Sequence, residues 1–567
     1  MIWWVDSPAR SAAERLSVES LAGSVNWLQV IGLRLDGSHL CWDVDIVTPE
    51  RTYPVTLRYP DHFPGSPALI YPRGVDERWS FHQYGAGGEL CLEYGPDNWH
   101  PDLTGADMLQ SAHRLLTGEE RSIAGGVVVG SRHKESEGQQ LRARSNRMLL
   151  PAGAEEILAR LAEFQVLAGA VVVMYREGSR TFVLAKAGEG EAEWKASLPA
   201  TLLASHFSLD TKLIRWPGAL TLPRLDDISA FREAFQRAGM DTSGGECLIV
   251  IRGSEVTAFD LFLSAKVSPL AVIHEKILPT RLDTDHLALV ERKVAIVGCG
   301  SLGSKIATML ARSGVRQFVL VDDDILFPEN LVRNDLDWRD IALHKVDGLA
   351  DKLQLVNPTV VCKRYRRSLG GQESSSSIET LLEVLGTCDL LVDATADARA
   401  FNYLCSVAGF AHRPMIWGEV FGGGYGGLIA RSRPHLEPDP ASIRQIILNW
   451  SNEQGRLVQP ASGRYHGGEE TPAIADDAEV SIIASHLALL AIDTLLAREP
   501  SAYRYAVYLI GFRSGWVFDQ AFDVRPLDVG PPLQESHKDI PVEEKRAEIE
   551  QVLKLIADHP NANTAAS

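Results

Sequence analysis

The stretch KVAIVGCGSLGSKIATMLARSGVRQFVLVDDD, Lys293 to Asp324, leaves the chain few ways to fold. Four apolar residues, Val294 to Val297, run into Gly298-Cys299-Gly300-Ser301-Leu302-Gly303, and small and apolar residues at helical spacing follow. The pattern predicts a strand, a tight turn and a helix. A second apolar run, Phe318 to Val321, ends in Asp322, 19 residues beyond Gly303. That spacing suits an acidic side chain on a ribose hydroxyl, with phosphates at the helix N-terminus. Gly298, Gly300, Gly303 and Asp322 are therefore expected to bind a nucleotide.

One such unit does not account for 567 residues. A chain of this length exceeds a single core and predicts about three or four domains. The formal net charge of −18 argues against a polyanion as general partner, so nucleic acid is not favoured. The opening MIWWVDSPAR lacks a basic segment leading into an apolar core, and no apolar run is read as approaching transmembrane length, so a cytoplasmic protein without a membrane partner is expected. Seven cysteines are scattered without a C-x-x-C pair, which fits neither a zinc ribbon nor a disulfide scaffold.

Residues 1–125 predict a separate domain. Leu40 to Val47 and Tyr53 to Arg58 alternate as strands of a small antiparallel sheet, and Tyr59 to Pro72 is broken by four prolines into an edge strand or fixed loop. Then come His82-Gln83-Tyr84-Gly85-Ala86-Gly87-Gly88-Glu89-Leu90-Cys91, Asn98-Trp99-His100-Pro101 and a helical run from Ala106 to Leu116. This order resembles the ubiquitin-conjugating enzymes, in which a strand meander and a proline-rich segment precede a histidine-led turn, the catalytic cysteine, a tryptophan, a proline and a helix. The resemblance implies Cys91 as catalytic nucleophile, nine residues after His82. The family's histidine-proline-asparagine triplet reads His82-Gln83-Tyr84 here, so the asparagine amide that steadies the oxyanion is missing from its usual place. Asn98, His100 or a backbone N–H stay open as substitutes.

The charged, Gly- and Ser-rich stretch from Thr117 to Asn146 predicts a loop and connection, with a linker over 126–150. Residues 151–270 predict a small α+β module: a helix from Ala154 to Leu167, strand pairs Val171–Tyr175 with Thr181–Leu184 and Glu246–Arg252 with Val256–Phe262, and a helix from Ile228 to Arg237. Cys247 reads as a packed thiol on a strand, and the module as a spacer or docking surface.

A glycine turn is shared by dehydrogenases, flavoproteins and methyltransferases, so the residues after it discriminate. Asp322-Asp323-Asp324-Ile325-Leu326-Phe327-Pro328-Glu329-Asn330-Leu331-Val332-Arg333-Asn334, followed by Lys345, resembles the adenylating family of ubiquitin-activating enzymes and of the ThiF/MoeB-type activators of sulfur-carrier proteins. The resemblance implies a Rossmann-like adenylation domain over 271–535, with ATP and Mg2+ as cofactors. It places Asp322 on ribose and Asn330, Arg333 and Lys345 on phosphates. Charge that builds on phosphoryl oxygens calls for fixed cations and donors rather than a nucleophilic side chain. In Asp393-Ala394-Thr395-Ala396-Asp397, which resembles the family's magnesium-site loop one residue out of register, either Ala396 occupies the family's acidic position or Asp397 supplies the carboxylate from a shifted turn, and Asp397 is the expected magnesium ligand. Arg281 resembles an arginine that reaches across a family dimer, and an ordinary loop arginine reads equally well.

Met415 to Glu419 predicts a strand, Gly422 to Gly427 a close backbone approach, Ser462 to Asp477 a crossover segment, Val480 to Leu496 a helix, and 536–567 a charged helix and tail. Cys405 reads as structural, and no cysteine follows it, which leaves no place for a thioester on the crossover segment. The whole chain is thus expected to be a multidomain α+β and α/β protein, a fusion of conjugating-type and activating-type domains similar to the conjugation proteins of anti-phage, CBASS-type operons. The fusion implies an enzyme that adenylates the C-terminal glycine of a ubiquitin-like modifier or a signalling nucleotidyltransferase, captures it on Cys91 and passes it to an acceptor amine, as a homodimer through the adenylation domain. Alternatives are a sulfur-carrier adenylyltransferase, a catalytically degenerate scaffold and a nicotinamide oxidoreductase.

Overall fold

A computed structural model describes residues 2–80, 82–125, 138, 141–142, 144–223, 226–275, 282–371, 375–421, 425–455, 475–532 and 542–558. The chain forms two compact units, Met1–Ala143 and Arg144–Ser567.

The first unit opens with a short helix α1 (Trp3–Asp6) and α2 (Pro8–Ser24). An antiparallel meander follows in sequential order: β1 (Leu28–Asp36), β2 (His39–Val47), β3 (Thr52–Arg58) and β4 (Leu69–Pro72). Alternation on β2 turns Leu40, Trp42, Val44 and Ile46 to the core, the period-two pattern that marks a half-buried strand. The proline-punctuated segment supplies the edge strand β4, where a missing N–H costs the sheet nothing. Helix α3 (Gly105–Gly125) closes the core with Met108, Leu109, Ala112 and Leu116. It runs on to Gly125, where the composition from Thr117 onward predicts a loop. Apolar burial on its first turns carries the charged residues after it as further helix. Glu14, fully buried, ties the unit together. Its Oε2 accepts from Tyr59 Oη and Gly105 N–H, both at 2.8 Å, and its Oε1 lies 2.8 Å from Arg10.

The second unit begins with a barrel. Its strands are β5 (Asn146–Leu150), β6 (Val166–Arg176), β7 (Ser179–Ala187), β8 (Trp194–Lys195), β9 (Phe207–Arg215), β10 (Cys247–Arg252), β11 (Glu255–Asp260) and β12 (Ser268–His274). The order β5-β12-β11-β10-β9-β6-β7 closes on itself because β7 also pairs with β5. Closure removes the free edges that an open α+β sheet would expose. Helices α4 (Ala154–Arg160), α5 (Ala200–Ser205) and α6 (Ile228–Arg237) flank it. The run Cys247 to Ile251 is buried on both faces, with Cys247, Ile249 and Ile251 in one cluster and Leu248 and Val250 in the other, against Phe231 and Phe235 of α6. The helix expected over Ala154 to Leu167 stops at Arg160: Leu161 is extended, Phe164 takes a positive φ of 67°, and the β-branched run after it pairs in β6. Residues 146–150, read as linker from sequence, form barrel strand β5.

An open sheet follows, in the order β15-β14-β13-β16-β17-β18-β19-β20. The strands are β13 (Lys293–Val297), β14 (Gln317–Val321), β15 (Val361–Tyr365), β16 (Leu390–Asp393), β17 (Met415–Val420), β18 (Gly426–Ser432), β19 (Val507–Gly511) and β20 (Val524–Leu527). The pairs from β15 through β17 are parallel and the rest antiparallel. Helices α7 (Ser301–Arg312), α8 (Lys345–Val356) and α12 (Asp477–Leu495) cover one face. On the other lie α9 (Ser375–Gly386), α10 (Ala398–Phe410) and α11 (Pro440–Glu453). Gly426 and Gly427 admit no side chain, since an added Cβ would stand 2.4 Å from Ile510 O and 2.6 Å from Glu419 O. Helix α13 (Val542–Asp558) follows, with its side chains exposed.

Contrary to the sequence reading, α12 is long and apolar enough to cross a membrane by length and composition. Its Val480, Ile483, Leu487 and Leu490 instead pack into the core of the sheet. Charged Asp477, Glu479 and Asp493 break the run and obscure it in the sequence.

Candidate active site

The parallel sheet reverses its strand order at β13, which has β14 on one side and β16 on the other. A crevice opens beyond the carboxyl ends of strands at such a switch point, and ligands of open α/β sheets bind there. The glycine turn occupies this place. Gly298 has a positive φ of 89°, and a Cβ on it would lie 2.7 Å from Ala394 O on the neighbouring loop. A Cβ on Gly303 would collide with Gly298 O, so the third glycine lets α7 close onto the turn. At Gly300 a Cβ would meet nothing within 4 Å, and no side-chain cap closes the N-terminus of α7 there. Backbone N–H groups in that position form a ready anion site.

Asp322, at the end of β14, accepts from Cys299 N–H at 2.6 Å through Oδ2 and from Asp324 N–H at 2.8 Å through Oδ1. Burial raises its pKa against those donors. The carboxylate thus braces the turn. Lys345 begins α8, is 8% exposed, and places Nζ 2.5 Å from Asp324 Oδ2. A buried ammonium is thus bonded to Asp324, two residues beyond Asp322 in the same loop. Asn330 uses its Oδ1 to accept from Phe327 N–H at 2.9 Å, closing a 3-10 turn (Pro328–Val332) that Arg333 terminates.

The element that joins this segment to the glycine turn is Asn334. Its Nδ2 donates to Cys299 O at 3.3 Å, and its Oδ1 accepts from Leu336 N–H at 3.0 Å. Beside it, Asp335 accepts from Thr308 Oγ1 at 2.6 Å and lies 3.0 Å from Lys352 Nζ. Sequence reasoning passed over Asn334; its signal was a buried-type amide placed directly after Arg333, where a solvated loop has no need of one.

On the β16 side, Asp393 is buried. Its Oδ1 accepts from both the N–H and the hydroxyl of Thr395, at 2.9 and 2.6 Å, and burial raises its pKa. Asp397 caps α10, accepting from Arg399 N–H at 2.7 Å, and forms a 2.8 Å ion pair with the Arg399 side chain, which holds its carboxyl below the usual range. Between them Ala396 takes a positive φ of 53°. Burial raises Glu419, on β17, to about 7, with Arg444 opposing and Asp393 adding to the shift. Asp393, Glu419 and Arg444 share a cavity that the sequence did not reveal, because three separate elements contribute them.

Gly298, Gly300, Gly303, Asp322, Asn330, Arg333, Lys345 and Asp397 therefore all belong to the loops of the open sheet or to the first turns of the helices α7 and α8. Arg281 and most of the expected crossover segment lie outside the described residues. Cys91 belongs to the first unit, in the loop after β4, half-buried, with its N–H donating to His82 O at 2.7 Å. That loop is held by Gln83, whose Oε1 accepts from Trp79 N–H at 2.7 Å and whose Nε2 donates to Glu77 O and Gly88 O. Asn98 donates to Glu93 O and accepts from Gly95 N–H, both at 2.8 Å, so both ends of its amide brace the loop beyond Cys91. His100 is exposed and pairs with Asp102 at 3.2 Å.

Strand order, glycine turn and terminal acid define a nucleotide-binding α/β domain. More particularly, residues 276–508 match the ThiF family. Among similar proteins, the ATP-dependent ubiquitin transferase-like protein Cap2 of Pseudomonas aeruginosa is 28% identical over 146 residues, 25% of this chain and 25% of its own length. The adenylyltransferase and sulfurtransferase MOCS3 of Bos taurus is 30% identical over 141 residues, 25% of this chain and 30% of its own length. The chain thus spans between a quarter and a third of these curated relatives. The crystal structure of Escherichia coli MccB with ATP aligns at 17% identity and a TM-score of 0.34, covering 44% of this chain and 68% of that one.

Proposed function

We propose that the chain activates the C-terminal carboxylate of a protein partner with ATP and transfers the acyl group through Cys91 to an amine. The observation that carries this reading is the linked set at the switch point: an uncapped helix N-terminus, Asp322 beneath it, and the segment from Asn330 to Lys345 tied back to the turn by Asn334. A nicotinamide enzyme has no use for a buried lysine and an arginine in that segment. A carboxylate attacking the α-phosphate does, because negative charge builds as the bond to pyrophosphate breaks. Asp322 holds the ribose, and Asn330, Arg333 and Lys345 hold the phosphates. Asp397 is ionised and partly exposed, and Mg2+ commonly takes one or two carboxylates together with phosphate oxygens, so Asp397 would hold it. When bound, the ion neutralises charge on the phosphates.

Cys91 Sγ then attacks the acyl carbon as thiolate, AMP departs with the bonding electron pair, and a thioester remains for an amine to displace. Support comes from the other six thiols. Burial pushes Cys247, Cys362 and Cys405 to about 12 and Cys388 to about 11, and it raises Cys41 and Cys299 as well. A thiol so shifted supplies little thiolate near neutral pH. The helix-meander-helix order of the first unit, with Cys91 after the edge strand, agrees with a conjugating-type domain. Exposed Ile325, Phe327, Val332 and Trp338 beside the phosphate segment support pairing with a second copy. The partner is a ubiquitin-like modifier or a nucleotidyltransferase ending in glycine, in a conjugation system of the anti-phage type.

Intact-mass spectrometry with ATP and candidate partners ending in glycine tests the reading. Wild type gains a reducible adduct of partner mass less water, and Cys91→Ala does not. An adduct that persists in Cys91→Ala removes Cys91 from the pathway. Absence of partner-dependent pyrophosphate exchange into ATP with every candidate removes the adenylation step.

A further inference from the structure

Gly85, Gly87 and Gly88 precede Cys91 in its loop, and a chain so rich in glycine has many backbone conformations open to it. Acyl transfer tolerates few of them, because the sulfur must meet the acyl carbon at about 3–3.5 Å along one line of approach. Gln83 ties segments of the loop to one another. Helix α3 ties the loop to the body of the unit.

Helical spacing puts Ser111, Ala112, Leu116 and Glu119 on one stripe of α3, and all four are buried. The two polar members of that stripe reach the loop on opposite sides of the cysteine. Ser111 Oγ accepts from the N–H of Glu93, two residues beyond Cys91, at 2.8 Å. Before Cys91, three bonds form a chain. Ser80 Oγ donates to Glu119 Oε1 at 2.5 Å and accepts from His82 N–H at 2.8 Å, and His82 O accepts from Cys91 N–H at 2.7 Å. The helix end that carries Glu119 is itself anchored, since Glu120 Oε1 accepts from Thr48 Oγ1 at 2.5 Å and from Tyr53 Oη at 3.1 Å. Among the described residues the Ser80 hydroxyl is the one group bonded to the Glu119 carboxyl. Burying a carboxyl group against a single hydroxyl contributes little stability, and a leucine on the same stripe would be easier to desolvate. What the carboxyl supplies is direction.

We propose that Glu119 and Ser111 are positioning residues for Cys91, holding its loop from both sides so that α3 sets the geometry in which the sulfur and the neighbouring N–H groups meet an acyl carbon. Each acts through other residues, Glu119 through Ser80 and His82, and Ser111 through Glu93. The assignment rests on the reading of Cys91 as acyl acceptor and adds what orients it.

Three measurements on the full chain test it: amide hydrogen exchange over the peptide from Ser80 to Glu93, acyl transfer to Cys91 from a synthetic Gly-Gly peptide thioester of 2-mercaptoethanesulfonate, and alkylation of Cys91 by iodoacetamide. Transfer needs the loop's geometry, whereas alkylation needs only the thiolate. Glu119→Leu should speed exchange and slow transfer, each about tenfold, with alkylation within about twofold of wild type. Glu119→Gln keeps an oxygen for Ser80 and should restore both. Ser80→Ala, a smaller change that breaks the same chain, should match Glu119→Leu, and the double variant should lose nothing further. Ser111→Ala should free the Glu93 amide and slow transfer by a similar factor. Unchanged exchange in Glu119→Leu and Ser80→Ala, equal losses of transfer and alkylation, a Gln variant as slow as the Leu variant, or additive losses in the double variant would each overturn the proposal. Wild type that takes no acyl group on Cys91 would instead overturn the reading on which it rests.

Discussion

Two cysteines sit in glycine-bearing loops at the ends of strands, one in each unit, and their surroundings have opposite characters. Cys299 lies inside the glycine turn, fully buried, with its N–H donating to Asp322 and its carbonyl accepting from Asn334. Burial raises its thiol far above the usual value, with the charge of Asp322 adding to the shift. Cys91 is half-buried, and the buried amide of Gln83 rather than the cysteine secures its loop. In the turn the backbone makes the bonds and the sulfur is packing, whereas in the other loop side chains hold the backbone and the cysteine stays half-buried.

The most drastic way to break this contrast is to remove each thiol. Cys91→Ala should lower partner thioester on the order of a thousandfold or more while leaving pyrophosphate exchange intact. Cys299→Ala should leave thioester formation within severalfold of wild type at a cost of about 1 kcal/mol in stability. Quantitative intact mass alongside exchange assays reads both, and loss of thioester in Cys299→Ala with exchange preserved would erase the distinction.

A second contrast concerns buried carboxylates. Glu14 accepts from Tyr59 and Gly105 and is ion-paired with Arg10, so its removal leaves the Tyr59 hydroxyl and the Gly105 N–H unpaired inside the first unit while Arg10 keeps its bond to Leu103 O. Glu14→Ala should destabilise that unit by about 3 kcal/mol, measured by urea unfolding with peptide-level hydrogen exchange to localise the loss. A change below about 1 kcal/mol would mean that the unfolded state or nearby water satisfies these groups as well.

Lys345 differs from both, since its partner Asp324 is exposed and can be left in water. Lys345→Ala should therefore barely move the melting temperature yet slow adenylation about a hundredfold, as loss of one charge-stabilising donor does. A melting shift without a rate loss would make the lysine a structural cap of α8.

These contrasts also show what the sequence carries. The strand, glycine turn and helix from Lys293 to Arg312 and the strand ending before Asp322 were legible because they are contiguous and carry unbroken periodic patterns. Strands such as Cys247 to Arg252 were legible from unbroken apolar runs. Closure of the barrel was not, because Asn146–Leu150 has little strand character of its own and acquires its role by pairing with β7 and β12. Asp397 was legible as an acid, but its partnership with Arg399 across one turn was not. Glu419 and Arg444 look ordinary alone, and only the crossing of β17 with α11 places them in one cavity.

Glu419 supplies the smallest effect and the finest test of the carboxylate contrast. Unlike Glu14 it has no donor among the described residues, and burial lifts it from 4.5 to about 7. The folded state therefore keeps a proton over a range in which the unfolded chain has released it. Stability is fully present below the unfolded value and is lost as pH rises through about 7. Glu419→Gln carries no charge to bury, so it should match wild type near pH 4.5 and exceed it above pH 7 by about 1–3 kcal/mol. Comparing the two proteins at each pH cancels the other titrating groups that they share. Parallel stability curves across the range would show that solvent or a cation already satisfies the carboxylate.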